Sequence, residues 1–194
     1  MREILPGIFT WPWFSERHGY DFNGYLIRHE DGNVAVDPVE GGLQEMQDVK
    51  RIVLTNRNHF RDAARIKAAT GAHVMVHAGD ADFVRKNGVE PDEPLVYGRR
   101  IAGFEVLDAS GKSPGEIALW NAERRILIVG DACVGKPPGA LALLSPKVID
   151  DLPRLQQSLR RLAALPVEAL LVGDGAPVLQ DASAALRALA GSFP

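Results

Sequence analysis

Short apolar runs alternate with turn residues along the first third of the chain, and this pattern predicts β-strands. Residues 22–38, FNGYLIRHEDGNVAVDP, contain two apolar runs on either side of an Asp-Gly pair. An Asp-Gly turn between two such runs is a strong hairpin signal. The preceding run, ILPGIFTW at residues 4–11, is also strand-like. We therefore expect antiparallel strands to open the fold.

A βαβ unit is predicted next. Two short apolar runs, residues 51–55 and 72–76, flank the Ala-rich segment 62–70, and Gly71 is placed to end a helix. Residues 56–60 therefore follow the carboxyl end of a strand. Ligands bind at that edge in open α/β sheets.

The second half of the chain predicts further strands and two longer helices. Its patterns indicate strands over residues 104–108, 116–120, 125–129 and 168–172, and helices over 80–86, from 151 to before Pro166, and over 181–190. In the helix that begins near residue 151, four leucines fall on one face. Strands first, with helices after or between them, suit two sheets packed together with helices outside.

Composition adds mainly exclusions. The chain has 194 residues, 22 Lys and Arg against 25 Asp and Glu, and a net charge of −3. We expect one domain over 1–194, with no nucleic-acid or membrane partner, because those partners select a basic excess. The single Cys133 excludes an internal disulfide. No apolar run approaches the roughly 18 residues of a membrane span, and the N-terminus lacks a secretory apolar core, so we expect a cytoplasmic protein.

Five blocks in fixed order carry the most information. They are VDP at 36–38, LTNRNHFRDA at 54–63, ASGKSPGEIAL at 109–119, ILIVGDA at 126–132 and LLVGDG at 170–175. In order and spacing, the chain resembles the metallo-β-lactamase-fold superfamily over essentially its full length. The resemblance implies an α/β fold, a four-layer αββα sandwich of two mixed sheets with outer helices.

The residues at the metal-ligand positions implied by the resemblance differ from those of the family. The family has His, His, Asp and His in the first loop, a His in the next and a late His. The residues that stand there in this chain are Asn56, Asn58, Phe60, Arg61, Lys112 and Asp174, and only the bridging carboxylate, Asp131, is retained. Phe has no donor atom, and Lys and Arg are cations. We therefore expect no metal and no other cofactor; zinc is disfavoured, and so is a hard cation such as magnesium or calcium, because Lys112 and Arg61 would repel it.

Charge suggests a replacement for the missing ions. Two carboxylates in a cleft, Asp131 and Asp174, require a cation or a proton. We expect the Lys112 ammonium to pair with one or both of them, and Arg61 to supply a second positive group. The alternative is that Lys112 and Arg61 are solvated loop residues.

Four residues are candidates for catalysis: His59, Asp62, Asp131 and Cys133. His59, next to Asp62, is a candidate general base that the Asp62 carboxylate would orient, and Asp131 is a third catalytic candidate. The alternative is that Asp62 caps a helix and His59 packs in the interior. Cys133 is a candidate nucleophile or an apolar filler. The segment GDACVGKP at 130–137 is rejected as a nucleotide-binding loop, because Pro137 occupies the position of the Ser or Thr hydroxyl.

Aromatic residues are concentrated in the first hairpin region, where they either line an apolar pocket or fill the core. They are Trp11, Trp13, Phe14, Tyr20 and Phe22.

The sequence favours a metal-independent pseudo-hydrolase that binds a small polar or anionic molecule through Asn56, Asn58, Arg61, Lys112, Asp131 and Asp174. The alternative is an active hydrolase with a non-standard mononuclear metal site or with acid-base catalysis by His59 and the aspartates. A structural role, as a homodimer or with another partner, also stays open.

Overall fold

Two mixed β-sheets and four α-helices make up the computed structural model, which describes residues 1–194. The first sheet contains seven strands in sequence order: β1 (Arg2–Leu5), β2 (Ile8–Ser15), β3 (Tyr20–Ile27), β4 (Asn33–Val36), β5 (Val49–Val53), β6 (His73–His77) and β7 (Glu93–Leu95). The second sheet contains β8 (Arg100–Ile101), β9 (Phe104–Asp108), β10 (Ile117–Asn121), β11 (Ile126–Val129) and β12 (Ala169–Val172). The helices are α1 (Ala63–Thr70), α2 (Ala78–Lys86), α3 (Leu152–Ala163) and α4 (Ala182–Gly191).

Strand directions change once within each sheet. Strands β1 to β4 pair antiparallel, whereas β4 to β7 pair parallel, as their connections require. In the second sheet, β8 to β11 are antiparallel and β12 joins β11 in parallel. The predicted hairpins are both present, since Ile27 pairs with Val34 and Asn121 with Ile126.

Three buried clusters separate four layers. The central cluster takes residues from both sheets, for example Val36 and Ile128, and so lies between them. A second cluster joins the outer face of the β8–β12 sheet to α3 and α4, and a third joins the other sheet to α1 and α2. The predicted αββα sandwich is therefore confirmed.

Local signals explain where the helices begin and end. The side chain of Asp151 accepts a hydrogen bond from the Arg154 amide at the start of α3. Gly71, in the left-handed region at φ 71°, ends α1. The longest helix, α3, has 12 residues, and no helix has the length and apolar character needed to cross a membrane.

Three strand features differ from the sequence expectations. The run at residues 4–11 is split at Pro6 and Gly7 into β1 and β2. Strands β7 and β8 were not predicted, because three and two residues are too few to show alternation. The other helices and strands lie within about two residues of their predicted bounds, a usual boundary error.

Candidate metal centre

Loops from both sheets bring their polar residues to one edge of the sandwich. Asp37 follows β4, and His59 lies in the loop after β5. From the second sheet, Lys112 lies between β9 and β10, Asp131 follows β11, and Asp174 follows β12. Beside them is a cleft of about 650 Å³, lined by Lys112, Asp131 and Asp174 among others. This convergence of strand ends is the arrangement in which α/β proteins place their sites.

Three residues of this edge form a group with the donors of a metal site. One ligand atom from each of His59, Asp131 and Asp174 lies within 4.8 Å of the other two, and all three residues are buried. One imidazole and two carboxylates suit a divalent transition metal, and three protein ligands leave coordination positions free for water or substrate.

His59 is fixed from both sides of its ring. Its Nδ1 lies 2.8 Å from Asp37 Oδ2 and 3.1 Å from Thr55 Oγ1, and its Nε2 lies 3.1 Å from Asp131 Oδ1. Burial acts to lower the pKa of His59, but the charges of Asp37 and Asp131 outweigh burial and raise it to about 9. Gly173 makes room for the ring, because a Cβ atom there would lie 2.7 Å from His59 Cε1.

Each carboxylate oxygen of Asp131 has its own cationic partner. Oδ1 faces His59, whereas Oδ2 lies 2.6 Å from the Lys112 ammonium. Lys112 also donates to Asn58 Oδ1 over 2.6 Å. Burial acts to raise the pKa of Asp131, yet the two cations hold it far below its usual range. The ion pair expected between Lys112 and an aspartate of the cleft is present.

Asp174 is paired less closely. Its Oδ1 lies 3.7 Å from Arg61 Nη2, and that oxygen has no hydrogen-bond donor. The Arg61 guanidinium stacks over the Phe22 ring at 4.3 Å and also has a buried nitrogen, Nη1, without a partner. Burial and the charge of Asp131 raise the pKa of Asp174 to about 6. The centre therefore has free donor and acceptor capacity on this side.

A buried carboxyl group that the sequence analysis missed lies behind the centre. Glu116 Oε1 accepts hydrogen bonds from Asn56 Nδ2 at 3.2 Å and from the Asp131 amide at 2.8 Å, whereas Oε2 has no partner. Burial, followed by the charge of Asp131, raises its pKa to about 8. An acidic residue directly before the apolar run of β10 was the available signal. Asp37 was also missed as a site residue, although it ends a predicted strand.

Four sequence candidates lie away from the cleft. Asn56 is buried beneath it, and Phe60 packs against the third buried cluster, with its ring 6.5 Å from that of Phe83. Asp62 stands at the N-terminus of α1 without a capping bond, so the carboxylate that orients His59 is Asp37 and not Asp62. Cys133 is fully buried and burial raises its pKa to about 12, which disfavours a nucleophilic thiolate.

The aromatic cluster divides between core and cleft. Tyr20 and Phe22 line the cleft. Trp11 is buried and donates to the Val39 carbonyl, whereas Trp13 and Phe14 are exposed. Core filling therefore holds for Trp11, whereas Tyr20 and Phe22 line a cleft of mainly polar residues.

The comparisons with known proteins agree with the fold. A family model described as the metallo-beta-lactamase superfamily matches residues 2–193. The chain belongs to this superfamily. A metallo-beta-lactamase from Pontibacter korlensis has a TM-score of 0.80 at 18% identity and covers 98% of both chains. A metallo-beta-lactamase family protein from Thermus thermophilus has a TM-score of 0.75 at 22% identity, covering 97% of this chain and 78% of that one.

Among curated relatives, the chain is similar to a hydroxyacylglutathione hydrolase from Rhodospirillum rubrum. The two are 31% identical over 161 residues, which cover 76% of this chain and 59% of that protein. A second protein of the same name, from Cereibacter sphaeroides, is 32% identical over 142 residues, covering 69% of this chain and 51% of that protein. The chain thus spans somewhat more than half the length of these relatives.

These findings correct two expectations. The interpretation as a metal-independent pseudo-hydrolase with a degenerate site is wrong, because the relatives carry the name of a hydrolase. The expectation of no metal is wrong because His59, Asp131 and Asp174 form a group that can hold an ion. His59 was not counted among the ligand positions of the first loop, whereas its ring reaches Asp131.

The donor set fits one ion better than two. Asp174 Oδ1 is a buried acceptor without a hydrogen-bond donor, so its lone pairs are available to a metal ion. At the other oxygen of Asp131, the nearest groups are the Lys112 ammonium and the Asn58 amide oxygen that it contacts. An ammonium has no lone pair to offer a metal ion, and an amide oxygen that already accepts a hydrogen bond from this ammonium adds no strong ligand beside Asp131.

Proposed function

We propose that the chain is an active hydrolase that cleaves thioesters of the hydroxyacylglutathione type, with one divalent metal ion held by His59, Asp131 and Asp174. The observation that carries this proposal is the meeting of one imidazole and two carboxylates beside the cleft. The name of the curated relatives supports the substrate class. A bound ion of this kind supplies Lewis acidity and an activated water.

The chain's own residues prepare this site before any substrate arrives. Asp37 and Thr55 hold Nδ1 of His59, so that Nε2 points toward Asp131. A carboxylate on the far nitrogen of a ligating histidine fixes the ring orientation and raises its basicity. Both polar anchors of the ring are buried, so little reorganisation is needed during the reaction.

The cleft suits an anionic thioester. Its volume of about 650 Å³ is typical of a small-molecule site. Arg57, Arg61, Lys112 and Lys147 all line it, and a glutathione moiety carries carboxylates that such cations recognise. Tyr20 and Phe22 add an aromatic wall on one side. Positive side chains and a wall of rings thus lie next to the proposed metal ligands.

The test is thiol release from a hydroxyacylglutathione, measured together with metal content. We expect hydrolysis by the metal-loaded protein, loss of hydrolysis after chelation, and recovery when the ion is returned. Asp174→Asn should lower both metal affinity and kcat/KM by about 10- to 100-fold, the effect typical of disturbing a metal site.

Asp150→Asn is the matched control. Asp150 lines the same cleft but pairs with Arg57 at 2.7 Å and does not belong to the proposed ligand group. Its metal affinity should stay near that of the wild type. Absence of thioester hydrolysis by metal-loaded protein would refute the substrate class, whereas full activity in protein shown to be free of metal would refute the role of the ion.

A further inference from the structure

Lys112 is built into the metal centre as firmly as the proposed ligands. Its side chain is 6% exposed, and the ammonium lies 2.6 Å from both Asp131 Oδ2 and Asn58 Oδ1. A lysine rarely occupies a buried site unless it is paired. Here two short contacts hold the charge at one point, beside the cleft and next to the proposed metal ligands.

Asp131 divides its two oxygens between two positive groups. Oδ1 faces the imidazole of His59 at 3.1 Å, on the side of the proposed ion, and Oδ2 faces Lys112 at 2.6 Å. In centres with two metal ions, the ions lie about 3.5–4 Å apart. An ammonium on the second oxygen of the shared carboxylate occupies the corresponding position of a second ion.

We infer that the Lys112 ammonium takes the place of a second metal ion, so that the centre binds one divalent ion and binds it more weakly because of the fixed positive charge. This inference rests on the proposed function. Like charges repel in inverse proportion to distance, and burial reduces the screening by water. The ammonium also competes for the carboxylate that the ion requires.

The residues around Lys112 offer no replacement ligands for a second ion. Phe60 has no donor atom and packs against Phe83, and the Arg61 guanidinium is itself a cation beside Asp174. Asn58 contributes only an amide oxygen, which Lys112 already uses. A second ion at Asp131 Oδ2 would therefore meet two positive groups, and that oxygen already pairs with the ammonium.

The experiment is a calorimetric titration of metal-stripped protein with Zn²⁺, using wild type, Lys112→Met and Lys147→Met. The expected result is one Zn²⁺ per wild-type chain and a dissociation constant at least tenfold lower for Lys112→Met. Lys147→Met is the matched control, because Lys147 lines the same cleft, is exposed, and forms no ion pair with Asp131. Its dissociation constant should stay within about twofold of the wild type, since exposed charges are well screened. Co²⁺ absorption spectra report the coordination independently of activity.

Each outcome of the titration either supports or overturns the inference. Two ions per wild-type chain, or a Lys112→Met dissociation constant equal to or higher than that of the wild type, would overturn the inference and leave the proposed function standing. Binding by neither protein would overturn the metal-dependent function and the inference with it. If Lys112→Met fails to fold, Lys112→Gln removes the charge while keeping a hydrogen-bond donor for Asn58, and the wild-type stoichiometry still tests the limit of one ion.

Discussion

Replacing Asp37 with Asn tests whether this carboxylate orients the proposed metal ligand. Asp37 lies in the left-handed region at φ 49°, a conformation that Asn tolerates about as well as Asp. The substitution therefore removes a charge without adding backbone strain. It also replaces one of the two carboxylate oxygens by an amide nitrogen. One of these oxygens, Oδ2, accepts a hydrogen bond from the Thr55 hydroxyl at 2.6 Å and faces His59 Nδ1 at 2.8 Å.

The magnitude follows from the buried ion pair. Two unit charges 2.8 Å apart interact by about 6 kcal/mol at an effective dielectric constant of about 20. The hydrogen bonds that a neutral Asn side chain would still make with Thr55 offset part of this loss. Breaking a buried ion pair typically costs about 3–5 kcal/mol. We expect a loss of about 3 kcal/mol in the free energy of unfolding. An amide that donates to Nδ1 would also leave the proton on Nε2, so metal affinity should fall about 10- to 100-fold.

Urea unfolding followed by circular dichroism measures the first effect, and Zn²⁺ titration the second. The matched control is Asp62→Asn, another buried aspartate of this edge, whose nearest cation is Arg65 at 3.9 Å. Burial raises the pKa of Asp62, which means that its surroundings disfavour the charged form. Replacing it by neutral Asn should therefore lower the free energy of unfolding only slightly. A loss below about 1 kcal/mol for Asp37→Asn, or equal losses for both variants, would refute the assignment of Asp37 as the residue that positions His59.

Three further predictions concern the support of the site and the fold. Gly173→Ala brings a Cβ within 2.7 Å of the His59 ring, so we expect about 1–3 kcal/mol of destabilisation in urea unfolding and weaker Zn²⁺ binding. The control Gly191→Ala, at the end of α4 with nothing within 4 Å, should neither destabilise the fold nor weaken Zn²⁺ binding. Leu159→Ala removes a fully packed side chain of the α3 face and should cost about 2–5 kcal/mol; a loss below about 1 kcal/mol in the same assay would contradict that packing. Burial acts to raise the pKa of Asp108, but hydrogen bonds from a neighbouring serine and two arginine charges hold it below 3.8. The stability that Asp108 contributes should therefore be present at neutral pH and disappear as the pH falls through about 4 and below, and a wild type minus Asp108→Asn difference that does not shrink in acid would contradict this.

The fold was readable from sequence because its strands and helices carry strong local signals. The Asp-Gly turn before β4, Gly71 after α1 and Asp151 before α3 each mark a boundary at which the structure changes. Strands β7 and β8 lack such signals, because three and two residues are too few to show an alternating pattern. Strand β7 pairs with β6, 18 residues earlier, and β8 forms a tight hairpin with β9. Tertiary contacts decide such short segments, and local propensity does not.

The site was only partly readable, because the sequence shows which loop a residue belongs to but not where its side chain points. Lys112 and Asp131 were placed together correctly, since both loops end at the same sheet edge. His59 was paired with Asp62, three residues away, although its partners are Asp37 and Asp131, 22 and 72 residues away in sequence. Contacts over such separations follow from the meeting of the two sheets and have no local pattern.

The charge balance of the centre favours a reaction in which negative charge develops. Three of its carboxylates, Asp37, Asp131 and Asp174, are matched by three cationic groups, His59, Lys112 and Arg61. A fourth carboxyl group, Glu116, counts as neutral because burial raises its pKa to about 8. Coordination requires a neutral imidazole, so loading a divalent ion adds two positive charges while one proton leaves. With an ion bound, the centre would carry one positive charge in excess, in a cleft where burial strengthens electrostatic interactions. A tetrahedral oxyanion or a departing thiolate would be stabilised there, and both arise in thioester hydrolysis. A reaction without developing negative charge would gain nothing from this excess, so the charge balance agrees with the proposed thioester hydrolysis.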